Sequence, residues 1–382
     1  MRSRGTLRLA TRGSALARRQ AALVREELEN RRYEVELVTV ETTGDQIRDE
    51  LIHRLGKTGA FVRELDERVL EGELDGAIHS MKDMPTEQPE ELVTAAVPER
   101  GRPGDLLITP DGTTLEELPE GAVVGTSSLR RRAQLLARRP DLEIEPLRGN
   151  VDTRLEKLLA PHLQEERQER REDERNRDED DYKPAYDDDR GVDDWFDGLS
   201  ELEKGALGRE VDTEYDAIVL AAAGVERSGL DHHVDFQPLP TTEFAPAPGQ
   251  GALAVTAADG ETAREINEAI DHPRSRVETT VERTVLAELG GGCIAPIGVY
   301  AVVQGEYVHA TVQVFDRDGG ESVVASRDLP VTSHAAAARE FAGELADRGA
   351  ATLIEAARRG ADEGDEPDRE DETDGGGSSG GR

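Results

Sequence analysis

The sequence predicts an α/β chain in three parts: two α/β lobes and a smaller α+β domain. Three observations carry this reading. Short apolar strands alternate with amphipathic helical runs over residues 6–80, which implies a sheet covered on both faces. The alternation stops at Pro98-Glu99-Arg100-Gly101-Arg102-Pro103-Gly104, a hinge signal, and then restarts. From Val277 onward a helix, three strands and a final helix read as a separate α+β unit. The expected borders are 1–99 with 250–270 for the first lobe, 104–245 for the second, 272–360 for the third domain and 361–382 for a disordered tail.

Taken in order, residues 6–10 alternate as a strand, and Thr11-Arg12-Gly13-Ser14 leads into a helix over 15–30 with Ser14 as its N-cap. A strand end, an arginine and a helix start make an anion site. A second strand covers 33–40, and Thr42-Thr43-Gly44-Asp45 opens a polar loop. Gly56-Lys57-Thr58-Gly59 is a turn before an amphipathic helix over 61–70. The strand over 74–80 ends in Met81-Lys82-Asp83-Met84-Pro85, where Pro85 prevents an ordinary continuation. Lys82 and Asp83 thus stand at a strand end, where α/β sheets place ligands. A surface ion pair is the ordinary reading of such a dipeptide, but the flanking His79, Met81 and Met84 point to partial burial.

In the second lobe, residues 122–125 form a strand and Thr126-Ser127-Ser128 caps a helix that begins at Leu129. Arg130 and Arg131 lie in its first turn, against the helix dipole, at a cost in stability unless an anion is near. Arg132, Arg138 and Arg139 continue the basic face, so this segment alone leaves a solvated face equally open. Residues 142–146 are a strand, followed by Leu147-Arg148-Gly149-Asn150 and a helix with Arg154 in its first turns. Three strand–arginine–helix junctions describe a cleft lined with guanidinium groups, suited to a ligand with several carboxylates or phosphates. Residues 161–213 read as a largely disordered acidic insertion with a short helix near its end. The fold resumes with a strand over 215–220 and Arg227 beyond it. Pro246-Ala247-Pro248-Gly249-Gln250-Gly251 turns the chain, and a strand over 252–256 returns to the first lobe.

In the third domain Val277, Val281, Val285 and Leu289 have helical spacing, and Gly290-Gly291-Gly292 ends that helix. Cys293, the single cysteine, follows. On this loop alone a small buried apolar residue is the favoured reading, and a thiol offered for covalent chemistry is the alternative. Strands over 297–303, 307–315 and 322–329 precede one helix over 333–358.

Composition narrows the function. The 382 residues carry 47 basic and 82 acidic groups, a net charge of −35, and only five lysines. Such acidity predicts a salt-rich cytoplasm, where screening tolerates self-repulsion. It argues against a nucleic-acid binder. One cysteine excludes an internal disulfide. No apolar run is long enough for a membrane span, and the N-terminus lacks the apolar core of a signal peptide, so a soluble cytoplasmic protein is expected. There is no zinc spacing, no phosphate-binding P-loop and no dinucleotide fingerprint, and no metal is expected.

Five motifs, in this order, resemble the hydroxymethylbilane synthase (porphobilinogen deaminase) family. They are Ala10-Thr11-Arg12-Gly13-Ser14, His79-Ser80-Met81-Lys82-Asp83, Gly125-Thr126-Ser127-Ser128-Leu129-Arg130-Arg131, Leu147-Arg148-Gly149-Asn150 and Gly291-Gly292-Cys293. With the acidity, the resemblance implies a halophilic archaeal source. It implies two lobes like those of type II periplasmic binding proteins with a cleft between them. It implies a dipyrromethane cofactor bound through Cys293 by a thioether, and a monomeric transferase. Four porphobilinogen units join the primer in turn with loss of ammonia, and water then releases the linear tetrapyrrole. Arg12, Arg130, Arg131, Arg148, Arg154 and Arg227 match family positions that pair with carboxylates, and Lys82 one that binds the cofactor. Ser14, Thr126, Ser127 and Ser128 add neutral donors, and Gln20 and Gln250 are further carry-overs. Asp83 matches the catalytic carboxylate that holds pyrrole N–H groups and helps the amine leave. The family often has a lysine where this chain has Thr58, with Lys57 or Arg54 as substitutes. A non-catalytic binding protein of the same two-lobed fold is the rival reading, opposed by the third domain.

Overall fold

The computed structural model describes residues 4–40, 60–177, 186, 190–290 and 295–363. The turn at 56–59, Lys57, Thr58, Arg54, the Cys293 loop and the tail from 364 lie outside the described residues.

Along the chain come β1 (Gly5–Arg12), α1 (Ala15–Asn30), β2 (Tyr33–Val40), α2 (Ala60–Leu70) and β3 (Gly76–Ser80), then a 3-10 turn at Met81–Asp83 and β4 (Leu92–Ala96). Next are β5 (Asp105–Ile108), β6 (Val123–Gly125), α3 (Leu129–Arg138), β7 (Glu143–Glu145), α4 (Val151–Asn176), α5 (Val192–Gly198) and α6 (Glu201–Leu207). They continue with β8 (Ala217–Ala221), α7 (Ala222–Ser228), β9 (Phe236–Pro238), β10 (Leu253–Ala258) and α8 (Glu261–Ile270). The last group is α9 (Pro273–Glu288), β11 (Ile297–Gln304), β12 (Tyr307–Phe315), β13 (Ser322–Pro330), α10 (His334–Leu345) and α11 (Ala351–Glu363).

Three sheets follow. The first has the order β2-β1-β3-β10-β4, the second β7-β6-β8-β5-β9, the third β11-β12-β13. In the first, β1 is parallel to β2 and β3 while β10 runs against β3 and β4. In the second, β6 is parallel to β7 and β8 while β5 runs against β8 and β9. The two α/β lobes therefore share one strand order. The third sheet is an antiparallel meander backed by α9 and α10, with Val281, Val285, Val312 and Phe341 in its core.

Because β10 lies in the first sheet but follows the second lobe, two segments cross between the lobes: residues 97–104 and 245–252. They run side by side. Gly101 N–H donates to Gly251 O at 3.1 Å, Arg100 Nε to Gln250 O at 2.9 Å, and Gln250 Nε2 to Pro103 O at 2.6 Å. Gly251 has φ +84°, and a Cβ there would stand 2.6 Å from Gly101 O, so only glycine allows this approach.

The third domain docks on the crossing. Val299 N–H donates to Pro246 O at 2.9 Å, and a Cβ at Gly298 would overlap the Ala245 carbonyl. Glu282 of α9 is fully buried and accepts from Arg100 Nη1 (2.8 Å) and Nη2 (2.9 Å), from Gly249 N–H (2.7 Å) and from Ala301 N–H (2.9 Å). Gln313 of β12 accepts from Gln134 Nε2 at 2.8 Å and from Ala245 N–H at 3.1 Å, which ties α3 to the same place.

Two expectations are corrected. The acidic stretch is not largely disordered where it is described. Helix α4 runs unbroken to Asn176, and α5 and α6 pack back on it. Leu163, Trp195, Leu202 and Leu207 are buried in the core of the second lobe. Arg170 stacks on Tyr186 (4.0 Å) and Trp195 (5.6 Å) and pairs with Glu166 at 2.9 Å. A few widely spaced anchors organise a segment whose charge hides its periodicity. The C-terminal helix is also not single. Gly349, at φ +106°, separates α10 from α11, because a left-handed residue cannot continue a right-handed helix.

Removing one partner of a buried ion pair strands the other charge. Glu282→Ala is therefore expected to lower stability by about 3–5 kcal/mol, with smaller loss in the double variant Arg100→Met/Glu282→Met than the two single losses combined. Denaturant unfolding at constant high salt checks this.

Candidate active site

The predicted site residues gather at the carboxyl ends of parallel strands, the ligand-binding edge of α/β sheets. Strand β1 delivers Arg12, and Ser14 Oγ caps α1 by accepting from Ala17 N–H at 3.2 Å. Strand β3 delivers Lys82 and Asp83. Strand β6 delivers Thr126–Ser128, where Ser128 N–H donates to Thr126 Oγ1 at 3.2 Å and Ser128 Oγ caps α3. Strand β7 delivers Arg148 and Arg154, and β8 leads to Arg227 on α7. Lys82 of the first lobe feels the charges of Arg130, Arg131 and Asp105 of the second, so the two edges face one cleft.

The anion that the first turn of α3 requires lies within the protein. Asp105, at the start of β5, is buried and pairs with Arg130 and with Arg131, each at 2.8 Å. Burial works to raise its pKa, but the two guanidinium groups outweigh it and hold the carboxyl well below the usual carboxylate range. Arg131 also donates to Val219 O at 2.8 Å, and Arg130 to Ala245 O at 3.0 Å. One carboxylate between two cations leaves a positive excess, and the buried Nε atoms of both arginines lack hydrogen-bond partners.

Other cations of the cleft have less. Burial and the charge of Arg131 pull the Arg154 pKa down to about 10, while its Nε donates to Gly149 O at 2.8 Å. Burial lowers the Lys82 pKa, with Asp83 opposing, and among the described residues none accepts a hydrogen bond from its ammonium. Burial likewise lowers that of Arg227, whose Nη2 donates to Gly251 O at 2.8 Å. Cations made less stable by burial gain from any anion that enters. Arg12 and Arg148 are half-buried.

The turn that carries Lys82 and Asp83 is held firmly. Met81 N–H donates to Ala252 O at 3.0 Å and Met84 N–H to Met81 O at 3.2 Å. Met81 and Met84 are buried with Val62, Val97, Ala252 and Ala254. A Cβ at Gly249, at φ +75°, would approach Met81 Cγ to 2.9 Å. Between these anchors Lys82 is half-buried and Asp83 exposed, so partial burial holds for Lys82 and not for Asp83. Arg283 of α9 donates to Met81 O and Met84 O at 3.3 Å and to Pro85 O at 2.6 Å.

Two predicted residues serve the frame here, Gln250 and Ser127. Gln250 is buried in the crossing and donates to Asp105 Oδ1 at 2.9 Å. Ser127 Oγ donates to Leu147 O at 2.8 Å, which joins two cleft loops. Gln20 is half-buried on α1. Cys293 lies outside the described residues. Sequence reasoning missed Asp105, Gln134, Glu282, Arg283 and Gln313. The available signal was charge on an apolar helix face: Glu278 and Glu282 alternate with Val277, Val281 and Val285. Among the described residues no helix is long and apolar enough to cross a membrane, and no cluster of three acidic, His or Cys side chains is placed to hold a metal.

The chain is similar to known proteins over nearly all its length. Residues 7–165 and 200–265 match the family described as porphobilinogen deaminase, dipyromethane cofactor binding domain, and residues 277–347 match porphobilinogen deaminase, C-terminal domain. The stretch between 165 and 200 falls outside the match and contains α5. A probable porphobilinogen deaminase of Halobacterium salinarum is 53% identical over 92% of this chain and 98% of its own. One from Methanococcoides burtonii is 40% identical over 91% and 96%. Among solved structures, the methionine-binding protein MetQ aligns at a TM-score of 0.33 and 12% identity, over 69% of this chain and 89% of that one. Family match and relatives agree: the chain belongs to the porphobilinogen deaminase family, transferases built on a domain that binds a dipyrromethane cofactor.

Proposed function

We propose that the cleft between the lobes is where this transferase joins four porphobilinogen molecules head to tail, with loss of ammonia, before water releases hydroxymethylbilane. The observation that carries the reading is the set of cleft cations weakened by burial, Lys82 and Arg154 above all, beside the turn that presents Asp83. Each porphobilinogen unit brings two carboxylates. The cations stabilise them by charge-assisted hydrogen bonds, the stronger kind. The acidity of the whole chain makes such a local positive site necessary, since a net charge of −35 would otherwise repel the substrate.

The same donors fit dipyrromethane, itself a polycarboxylate. Lys82, Arg130, Arg131 and Arg154 would hold it, Arg12, Arg148 and Arg227 would receive incoming units, and Ser14, Thr126 and Ser128 would donate neutral hydrogen bonds. Gln20, half-buried on α1, would be a further donor, while Gln250 and Ser127 keep the loops in place. We assign the thioether link to Cys293, the one thiol of the chain. When bound, this group supplies the pyrrole end to which units are added. Asp83 accepts the pyrrole N–H of the reacting unit and stays close enough to stabilise the positive charge left as ammonia departs. Its exposure leaves it open to substrate, while its backbone is fixed by Met81 and Met84. The working unit is a cytoplasmic monomer whose domains follow the borders 1–99 with 250–270, 104–245 and 272–360.

Two outcomes are expected. Cys293→Ser folds but gains no covalent adduct in intact-mass measurement and makes no bilane; an adduct on that variant places the link elsewhere. Asp83→Asn loses about 10²–10⁴-fold in turnover at equal cofactor loading, the usual worth of general acid–base help. Asp83→Glu retains a small part of the activity. Steady-state bilane formation decides, and an Asp83→Asn enzyme within a few-fold of wild type removes Asp83 from the chemistry.

A further inference from the structure

Helix α9 of the third domain does more than pack on the lobes. Residue 282 of this helix anchors the crossing segments, and residue 283 reaches the first lobe. Arg283 meets no carboxylate there. Its guanidinium donates to three backbone carbonyls, those of Met81, Met84 and Pro85, which bracket Lys82 and Asp83 on both sides. No ion pair to Arg283 exists among the described residues, and burial lowers its pKa. A cation placed in this way costs stability that a neutral donor would not. What it gains is geometry. Met81 O also accepts from Met84 N–H within the turn, whereas Met84 O and Pro85 O, at its end, have no such partner there. A planar fork with several donors holds all three at once, whereas an ammonium is a point donor.

We propose that Arg283 is a positioning residue for the condensation: from the helix that leads in sequence to Cys293, it clamps the turn at 81–85 and so sets where Asp83 stands. This rests on the reading of Asp83 given above. Arg283 acts through that carboxylate and touches no substrate. The consequence is that the third domain sets the geometry of a carboxylate carried by the first lobe. Small displacements of a reacting group are costly, about 10²-fold for about 1 Å.

The test uses the cofactor-loaded full chain, with loading measured by intact mass. Arg283→Met is expected to lower kcat about 10²-fold while KM changes less than about three-fold. Arg283→Lys, which can satisfy some of the carbonyls, loses about ten-fold and serves if the methionine variant does not fold. In the double variant with Asp83→Asn, either change adds little to the loss from Asp83→Asn alone, because both remove the same function. A merely structural role would lower stability and leave kcat per loaded molecule intact. Arg283 variants within three-fold of wild type in kcat overturn the proposal, and so do losses that multiply with Asp83→Asn. If Asp83→Asn itself stays near wild type, the catalytic reading of Asp83 fails and the proposal falls with it. An inactive Asp83→Asn beside a normal Arg283→Met overturns the proposal alone.

Discussion

Four donors converge on one buried carboxylate, Glu282, and the three domains share it. Arg100 comes from one crossing segment and Gly249 from the other; Ala301 comes from the first strand of the third domain. Burial works against both charges of the pair. The pKa of Arg100 still stands above its ordinary value, because Glu282 lies against it. Such a pair is poor evidence of net stability, since an apolar pair of the same shape can do as well. Its value here is geometric. A residue that satisfies both crossings and β11 at once admits one arrangement of the three.

The cleft is built on the same frame with an opposite rule. Asp105 is the internal counter-ion for two arginines, and it sits beside Gln250 in the crossing. Arg154 and Lys82 face the cleft with their charged forms disfavoured by burial. Although the protein has 82 acidic side chains, no carboxylate offsets the burial of Arg154, and Asp83 and Asp105 offset that of Lys82 only in part. Arg130 and Arg131 combine the two rules, since they hold Asp105 and still leave a positive excess at the loop edge.

Much of this was legible because it is local. Ser14 and Ser128 cap the helices predicted for them, since capping needs only a hydroxyl and a few following residues. The break in pattern at 98–104, which the structure shows as a crossing between the lobes, and the return of the strand near 252 follow from proline, glycine and apolar alternation. The basic turn of α3 announced a need for an anion, but not that Asp105, distant in sequence, meets part of it. Arg283 was illegible for the same reason: its partners are carbonyls about 200 residues away, and carbonyls leave no mark in a sequence. The acidic helix α4 was misread because its anchors, Leu163 and Arg170, are outnumbered by solvated charges. The break at Gly349 was missed because a lone glycine within a helical pattern is often tolerated.

The central claim is that the cleft holds cations that are unsettled until carboxylates arrive. Lys82 reports on this directly, and with five lysines in the chain its signal is readily assigned. The measurement is a pH titration of the lysine side chains by nitrogen NMR, on the cofactor-free chain and on the loaded enzyme. The account predicts that Lys82 titrates below the ordinary lysine value in the free chain and moves upward when the cofactor carboxylates are present. An ordinary value in the free chain, or the same value in both forms, would contradict it.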